Sequence, residues 1–357
     1  MRLEEPANYA FVFIKPHANT PAVRELVHSF IVDNTNPYDD GVGRINAQYD
    51  ITSEHIENGR LVDKQFKALA RHAMEIAGLD AFASISAKEF QKAFGEDLNL
   101  VKKEKRIYNA LEALSALACN PAGLEQAWRE AERDSSKGKI KYFGDIDHDG
   151  FYCGNLFLNG KNVYVINGFY MALRGEYIEP AKSIHACVIQ WSQDALSWKD
   201  FRSKIIGTAD PAKAEIGSLR RMVYDKYREL GLDAKPNVID NVIHVSASPL
   251  EGLAERMNWC SRQVNQDEYG RLLLGRGIPE SKILDWCDNV KLAGPVPVLE
   301  AGLDGFEMKN VFDVVKDTDS KVCADKLTGL YDYELFGSTI QGRDRCAATG
   351  GGCCVIS

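Results

Sequence analysis

The chain has 357 residues, of which 45% are hydrophobic and 26% are charged, as in globular proteins of two or more domains or of one domain with large insertions. No apolar run approaches the roughly 18 residues of a membrane-spanning helix, and the acidic, polar start is not typical of a secretory signal or a transit peptide. The formal net charge of -8 disfavours a general nucleic-acid-binding protein, because phosphate contacts need clustered lysine and arginine.

The cysteines are also informative about the compartment. There are nine of them, with no Cys-x-x-Cys pair and no spacing typical of a zinc site. An odd number of cysteines without a secretion signal favours reduced thiols, so we expect a cytoplasmic protein.

The first part of the chain predicts a β-α-β pattern. Residues 9–15 read as a central strand, and Pro21 opens an amphipathic helix that runs to about Val32. A second strand is expected over Ile45–Ile51 and a helix over Asp63–Ile76. This order favours an α+β fold with a ferredoxin-like βαββαβ sandwich as its core.

The composition changes after residue 77 and predicts a helical insertion over residues 78–138. Alanine and charged residues alternate there in helical patterns. Short strands are expected again over residues 139–167, with Asn159-Gly160 as the strongest hairpin signal. The predicted helices of the insertion are Ser86–Phe94, Leu98–Leu117 and Pro121–Arg133.

The following segment predicts the rest of the core, with a helical C-terminal extension after residue 260. The expected elements are a helix over Gly168–Tyr177, a strand over Ser183–Trp191, helices over Leu196–Ile206 and 217–230, and, in the extension, helices over Asp267–Leu274 and Pro279–Asn289.

A candidate nucleophile stands in the next strand. Val242–Val245 is a β-branched run that carries His244 into a serine-rich turn, and Ser248-Pro249 followed by Glu251 is typical of a helix start with a capping box. That helix carries Glu255, eleven residues after His244, and would bring its carboxylate back towards the histidine. A carboxylate can hold one imidazole nitrogen and leave the other free as a nucleophile. On spacing alone, a structural histidine at a strand end is the alternative.

Three stretches taken together resemble the nucleoside diphosphate kinase family. Tyr9–Pro16, with Lys-Pro at its end, is similar to the family's first strand, and residues 207–220 are similar to its Gly-x-Thr-Asn-Pro loop and Gly-Thr-Ile-Arg helix start. Residues 241–259 are similar to its active-site strand and following helix. The resemblance implies a divergent member whose fold is split by a long insertion. It covers residues 8–34, 184–260 and, more loosely, 44–74.

The resemblance implies a ping-pong phosphotransfer. His244 would take the γ-phosphate of a nucleoside triphosphate, and the phosphohistidine would pass it to a nucleoside diphosphate. Mg²⁺ would be carried in on the nucleotide phosphates without direct protein ligands, and no organic cofactor is expected. Family members commonly self-associate, so a homo-oligomer is also implied.

The family's site roles transfer onto five positions. The resemblance implies that Lys15 contacts the ribose and the reacting phosphate, that Arg220 binds phosphates, and that Asn241 binds the sugar 3′-hydroxyl. It further implies that Ser246 stands beside the histidine and that Glu255 orients it.

Three further nucleotide-binding assignments are less direct. Thr208 adjoins Ala209, the position of the family's phosphate-binding threonine, and Arg202 stands near the position of a second family arginine. Phe66 is a candidate for stacking on the base, with core packing of a helix phenylalanine as the alternative.

The chain also departs from the family pattern at His17, Ala209 and Ala247. Losing one charge-assisted hydrogen bond costs about 1.5 to 3 kcal/mol, so these departures predict weaker phosphate binding or slower turnover. The alternative function is a catalytically weak nucleotide-binding or scaffold protein at a membrane.

A third possibility, a calcium-responsive membrane adaptor, rests on a partial motif. Asp145–Gly150 matches the first half of an EF-hand loop, but the twelfth position is Leu156 instead of a bidentate glutamate. A polar turn is therefore the favoured interpretation.

The C-terminus predicts a lipid anchor. A flexible glycine run, Gly350–Gly352, precedes Cys354-Val-Ile-Ser, which fits the C-a-a-X box for farnesylation. Cys353 could carry a palmitoyl chain as a second anchor. A disordered tail is the alternative. The predicted organisation is a kinase-like core (1–77 and 139–260), a helical insertion (78–138), a C-terminal extension (261–338) and a flexible tail (339–357).

Overall fold

The computed structural model describes residues 7–35, 43–83, 85–143, 150–238, 240–292 and 310–348. The strands are β1 (Asn8–Ile14), β2 (Gly43–Thr52), β3 (Ile107–Asn109), β4 (Gly138–Tyr142), β5 (Tyr152–Leu158), β6 (Lys161–Ile166), β7 (Ser183–Trp191) and β8 (Ile243–Val245). The helices are α1 (Pro21–Thr35), α2 (Ser53–Asn58), α3 (Leu61–Gln65), α4 (Lys67–Ala70), α5 (Gly78–Ala81), α6 (Ala87–Phe94), α7 (Leu98–Lys103), α8 (Ala110–Ala116), α9 (Pro121–Arg133), α10 (Tyr170–Ile178), α11 (Trp198–Asp200), α12 (Leu219–Lys226), α13 (Pro249–Cys260), α14 (Glu268–Gly275), α15 (Glu280–Cys287), α16 (Val311–Val315) and α17 (Ser320–Ala348).

The first sheet has the order β2-β7-β1-β8, and β1 is antiparallel to both of its neighbours. With α1 between β1 and β2, and α12 between β7 and β8, this is the strand order of a ferredoxin-like βαββαβ fold. The predicted fold class is therefore confirmed. The run Ala10–Ile14 is almost fully buried, as expected of a central strand that is covered on both faces.

A second sheet, in the order β3-β6-β5-β4, lies within residues 107–166. The predicted Asn159-Gly160 hairpin joins β5 to β6 and is confirmed, with φ of 48° and 76° at the two turn residues. Two positive φ values are what a tight hairpin turn requires, and Asn-Gly meets that requirement at low cost. The sheet takes strands from both sides of residue 138, where the sequence predicted a boundary between insertion and core.

The continuous helix predicted over Leu98–Leu117 is wrong, because β3 separates α7 from α8. Lys105 has a φ of 54° and ends the helical path, and Ile107 and Asn109 are buried where β3 pairs with β6 in parallel. The Asn109 side chain then caps α8 by accepting the backbone N–H of Glu112 at 2.7 Å. The short strand lies between two helices in an alanine-rich segment, so the helical pattern appeared continuous in the sequence.

Other boundaries also differ from the prediction. The helix expected over Asp63–Ile76 is divided into α3, α4 and a π-helical turn over Arg71–Glu75. The helix expected over Leu196–Ile206 consists of α11 and a π-helical turn over Phe201–Ile206. Residues 145–149 of the predicted calcium loop and the cysteines of the predicted lipid anchor lie outside the described residues.

The chain forms two compact units. The first consists of residues 1–14, 20–49 and 185–357, and the second of residues 15–19 and 50–184. In the second unit, Trp128 of α9 lies in an apolar cluster with Leu156 and Val165 of the second sheet. Among the described residues of the whole chain, no helix combines the length and the apolar character needed to cross a bilayer.

In the first unit, the C-terminal extension is helical, as predicted, and packs on α13. Leu253 of α13 shares one buried cluster with Trp286 of α15, Val315 of α16 and Leu327 of α17. One face of α13 is therefore fixed by the extension.

A buried ion pair reinforces this attachment. The guanidinium of Arg256 in α13 donates two hydrogen bonds to Asp267, with Nε–Oδ2 at 2.6 Å and Nη2–Oδ1 at 2.9 Å, and neither side chain is exposed. Burial alone would raise the pKa of Asp267, but the Arg256 charge and the hydrogen bonds outweigh burial, and the pKa lies below its usual value.

Replacing Asp267 with asparagine should lower the free energy of unfolding by about 3 to 5 kcal/mol, because the Arg256 guanidinium would stay buried without its counter-charge. Denaturant titration would measure this loss. Asp225→Asn, at a partly exposed pair with Arg221, is the matched control and should cost less than about 1 kcal/mol. Equal losses in the two variants would contradict the assignment.

Candidate active site around His244

The approach to His244 is a strained turn. The backbone N–H of Ile243 donates to the carbonyl of Asn241 at 2.9 Å, and the intervening Val242 has a φ of 72°, so the three residues form a γ-turn. A positive φ at a buried β-branched residue costs of the order of 1 to 3 kcal/mol and is most often found at functional sites. The strand predicted from Val242 therefore begins one residue later, at Ile243.

The His244 ring is fixed on one of its two nitrogens. Nε2 lies 2.5 Å from Oε1 of Glu255, which belongs to α13. The Glu255 carboxylate is almost fully buried, whereas the His244 side chain is 21% exposed. Within the described part of the chain, no residue hydrogen-bonds Nδ1, which leaves that nitrogen available to a ligand.

Ser246 holds the second oxygen of the same carboxylate. Its hydroxyl lies 2.6 Å from Glu255 Oε2 and accepts the backbone N–H of Phe11 at 2.9 Å. Glu255 thus has one oxygen on the histidine and the other on a serine anchored to β1. Rotation of the carboxylate would break both contacts, so the orientation of the imidazole is fixed.

Packing holds the ring from the side. Phe13 lies opposite His244 in the β1–β8 pair, and the two rings stack with centroids 4.6 Å apart and an interplanar angle of 22°. Trp259 of α13 packs against the same phenylalanine, with ring centroids 5.4 Å apart. The imidazole therefore has an apolar support that does not compete for its nitrogens.

The close approach of α13 to β1 depends on Gly252. A Cβ at this position would lie 3.0 Å from the Tyr9 carbonyl oxygen and 3.3 Å from Ser246 Oγ. One turn later, Nη1 of Arg256 donates to the same Tyr9 carbonyl at 2.7 Å. The glycine and the arginine together set the distance at which Glu255 reaches Ser246.

A second carboxylate, Glu251, adjoins this group. One donor atom each of His244, Glu251 and Glu255 lies within 4.8 Å of the other two. Burial raises the pKa of Glu251 to about 7, and the Glu255 charge adds to the effect. Because Nε2 and the Glu255 carboxylate are already bonded to each other, we interpret the three groups as an acid–base cluster and not as metal ligands.

Arg220 lies buried beside β8. Its Nη1 donates to the carbonyl of Gly207 at 2.7 Å and its Nη2 to that of Ile243 at 2.6 Å, while Nε has no partner among the described residues. Burial, and then the charge of Arg202, lower the pKa of Arg220 to about 10. Gly207 itself has a φ of 95° and lies where a Cβ would meet Ser218 Oγ at 2.6 Å, so this turn requires glycine.

Asn241 and Thr208 lie on the loop side of the same region. The Asn241 amide donates to the Ala209 carbonyl at 3.2 Å, and its buried Oδ1 has no partner among the described residues. Thr208 is exposed, and its hydroxyl donates to the Asp210 carbonyl at 3.3 Å. Asn241 thus has an unused acceptor, and Thr208 is accessible to a ligand.

Arg202 is already paired. Its Nη1 is bonded to Asp317, in the link between α16 and α17, and the backbone N–H of Asp317 donates to the Ala247 carbonyl at 2.9 Å. Since Ala247 is three residues from His244, the extension supplies a carboxylate next to the candidate site. The predicted phosphate-binding charge of Arg202 is balanced in this arrangement.

Two predicted residues, Lys15 and Phe66, belong to the second compact unit. Lys15 is partly buried and precedes a short 3₁₀ turn over Pro16–Ala18. Phe66 packs against the apolar cluster that contains Ala70 and Trp128, which is the packing role weighed against base stacking. Their nucleotide-binding roles stay predictions.

Comparison with known proteins adds little. No protein-family model matches the chain, and no curated protein matches it. Among solved structures, a crystal structure of an NDP kinase from Pyrobaculum aerophilum is similar over 71% of this chain and 96% of that chain, with 16% sequence identity and a TM-score of 0.28. This likeness is too weak to bear on function.

Several residues that build the site were not predicted. Gly252, isolated inside a helical pattern, carries a signal for close packing that could have been recognised. Trp198, whose Nε1 donates to the Ser246 carbonyl at 3.2 Å, carries no such signal. The contacts of Arg256 with Tyr9 and of Asp317 with Arg202 also carry none, because each joins residues more than 100 positions apart.

Replacing Ser246 with alanine should lower the free energy of unfolding by about 1 to 3 kcal/mol, since the buried Phe11 N–H and Glu255 Oε2 would each lose a partner. Denaturant titration would measure the loss. Ser203→Ala, which removes only a bond to a carbonyl of its own helix, is the control and should cost less than about 0.5 kcal/mol. A loss as small as that of the control would contradict the proposed bridge.

Proposed function

We propose that the chain is a nucleoside diphosphate kinase-like phosphotransferase that moves the γ-phosphate of a nucleoside triphosphate to a nucleoside diphosphate through phospho-His244. The observation that carries the proposal is the contact of 2.5 Å between His244 Nε2 and Glu255, which leaves Nδ1 as the reactive nitrogen. The resemblance of three stretches to the nucleoside diphosphate kinase family supports the same reaction.

In the first half-reaction, the lone pair of His244 Nδ1 attacks the γ-phosphorus. An N–P bond forms, the bond from phosphorus to the bridging oxygen breaks, and the nucleoside diphosphate leaves with that electron pair. The proton stays on Nε2, where the Glu255 carboxylate stabilises the positive charge that develops on the ring. In the second half-reaction, a terminal oxygen of the acceptor diphosphate attacks the same phosphorus, and the N–P bond breaks.

Most of the work left to the protein is alignment and charge neutralisation. Arg202 and Arg220 are the cations of the first unit proposed to face the phosphates, and the unpaired Oδ1 of Asn241 suits a sugar hydroxyl. Mg²⁺ belongs to the substrate, since it is proposed to arrive bound to the nucleotide. The roles of Lys15 and Phe66 rest on the family resemblance alone.

The decisive experiment is labelling with γ-labelled ATP and Mg²⁺. Wild-type protein should acquire a label that is acid-labile, alkali-stable and discharged by added diphosphates, and His244→Ala should acquire none. His28→Ala, which removes an exposed histidine of α1, is the control and should label like wild type. Glu255→Gln should slow labelling by the order of 100-fold, because the ring loses its fixed orientation. A label that survives in His244→Ala would refute the proposal.

One observation favours a second candidate function, a nucleotide-binding or scaffold protein with weak or no catalysis. Both guanidiniums proposed to face the phosphates are engaged within the chain, Arg220 by two backbone carbonyls and Arg202 by Asp317. A protein of this kind would bind nucleotide without forming phosphohistidine and would tolerate His244→Ala. A lipid anchor at Cys354, with Cys353 as a second site, stays part of this candidate as a prediction.

Replacing Asp317 with asparagine should strengthen binding of Mg·ADP, up to about tenfold, because Arg202 would keep its charge and lose its competing anion. Isothermal titration calorimetry would measure the change. Asp313→Asn, an identical charge change on the exposed face of α16, is the control and should leave the affinity unchanged. Weaker binding by Asp317→Asn would instead mean that Asp317 holds Arg202 in its binding position.

A further inference from the structure

Glu251 is a titratable group at the candidate site that the proposed reaction does not use. Its N–H is held by the N-cap residue of α13, where Ser248 Oγ accepts it at 3.1 Å. The sequence predicted a capping box, in which the Glu251 carboxylate would return to the Ser248 N–H. Both residues are described by the structure, and only the serine half of the box is formed. The carboxylate instead accepts the backbone N–H of Ala247, and one of its oxygens lies within 4.8 Å of donor atoms of His244 and Glu255.

The neighbours of this carboxylate compensate a negative charge only in part, because burial and the charge of Glu255 outweigh them. One donor atom of Glu251 lies within 4.8 Å of both His244 and Glu255. The oxygens of Glu255 are engaged by His244 Nε2 and by the Ser246 hydroxyl, so neither is available to hydrogen-bond Glu251. Arg202 is the nearby cation, and its charge is balanced by Asp317 from the link after α16.

We infer that the protonation state of Glu251 controls whether His244 can carry a phosphoryl group. The inference rests on the proposed function. A phosphoryl group brings close to two negative charges, and a like charge held within a few ångströms in a partly buried site opposes it strongly. A protonated carboxyl has no such charge and can donate its O–H to a phosphoryl oxygen.

The direction of the pH dependence follows from the surroundings. Burial is the main cause that raises the pKa of Glu251 to about 7, followed by the charge of Glu255, while His244, the Ala247 N–H and Arg202 act in the opposite sense. Below that pKa the carboxyl is neutral and phosphohistidine is favoured. Above it the carboxylate is ionised, and the phosphorylated state is disfavoured progressively as the pH rises.

The test compares wild type with Glu251→Gln from pH 5.5 to 9, using two phosphoryl donors. In one arm the donor is ATP with Mg²⁺. In the other it is phosphoramidate, from which His244 takes the phosphoryl group while the P–N bond breaks and ammonia leaves, so that no nucleotide site is needed. The quantity measured is the ratio of phospho-His244 in the variant to that in wild type, which cancels the pH dependence of the donor and of His244.

That ratio should stay near 1 below pH 6 and rise by about tenfold per pH unit above pH 7, because only wild type loses a proton from this position. Glu251→Asp should restore a pH dependence in the same direction, and Glu229→Gln, at an exposed turn position after α12, should give a flat ratio of 1. Near-UV circular dichroism at each pH would establish that the variants are folded.

A ratio that does not change with pH in the phosphoramidate arm would overturn the inference. Labelling of wild type by phosphoramidate but not by ATP would refute the proposed kinase function, and the inference about Glu251 would still be decided by the phosphoramidate arm. Failure of both donors to label His244 at any pH would mean that this histidine is not a nucleophile, and both proposals would fall.

Discussion

The candidate site depends on one carboxylate, that of Glu255, which is bonded to two groups at once. One oxygen lies 2.5 Å from His244 Nε2 and the other 2.6 Å from Ser246 Oγ, and the serine is in turn anchored to the backbone of Phe11. The central strand, the candidate nucleophile and α13 are therefore connected through a single side chain. If α13 moved by an ångström, the imidazole would lose its orientation, and alignment is most of what a phosphoryl-transfer site supplies.

The C-terminal extension supports this carboxylate from a distance. Asp267, at the start of α14, holds the buried guanidinium of Arg256, which follows Glu255 in α13. The same guanidinium donates to the Tyr9 carbonyl of β1. Farther along, Asp317 bonds the Ala247 carbonyl through its backbone N–H and pairs with Arg202 through its side chain. The extension thus fixes the helix that carries Glu255 and also limits the positive charge available to a phosphate.

Local sequence patterns predicted many of the strands and helices that form this arrangement. They could not predict contacts between residues that are far apart in the sequence. The apolar run before Lys15 and the Ser248-Pro249 helix start are visible in the sequence because strand burial and helix capping act over a few residues. The strand β3 was missed because it has only three residues, too few to show a strand-like alternation between two predicted helical segments. The positive φ of Val242 could not be expected from a β-branched residue, and only the fold imposes it. The Asp317–Arg202 pair joins residues 115 positions apart, and no local propensity encodes such a pair.

The most direct test of the central claim is to determine which ring nitrogen carries the phosphoryl group. Phosphorus-31 and nitrogen-15 NMR of labelled protein distinguish substitution at Nδ1 from substitution at Nε2. Because Glu255 holds Nε2, we expect a phosphoryl group on Nδ1 of His244 and on no other nitrogen. A phosphoryl group on Nε2 would contradict it, since that nitrogen could react only if the contact with Glu255 were broken first.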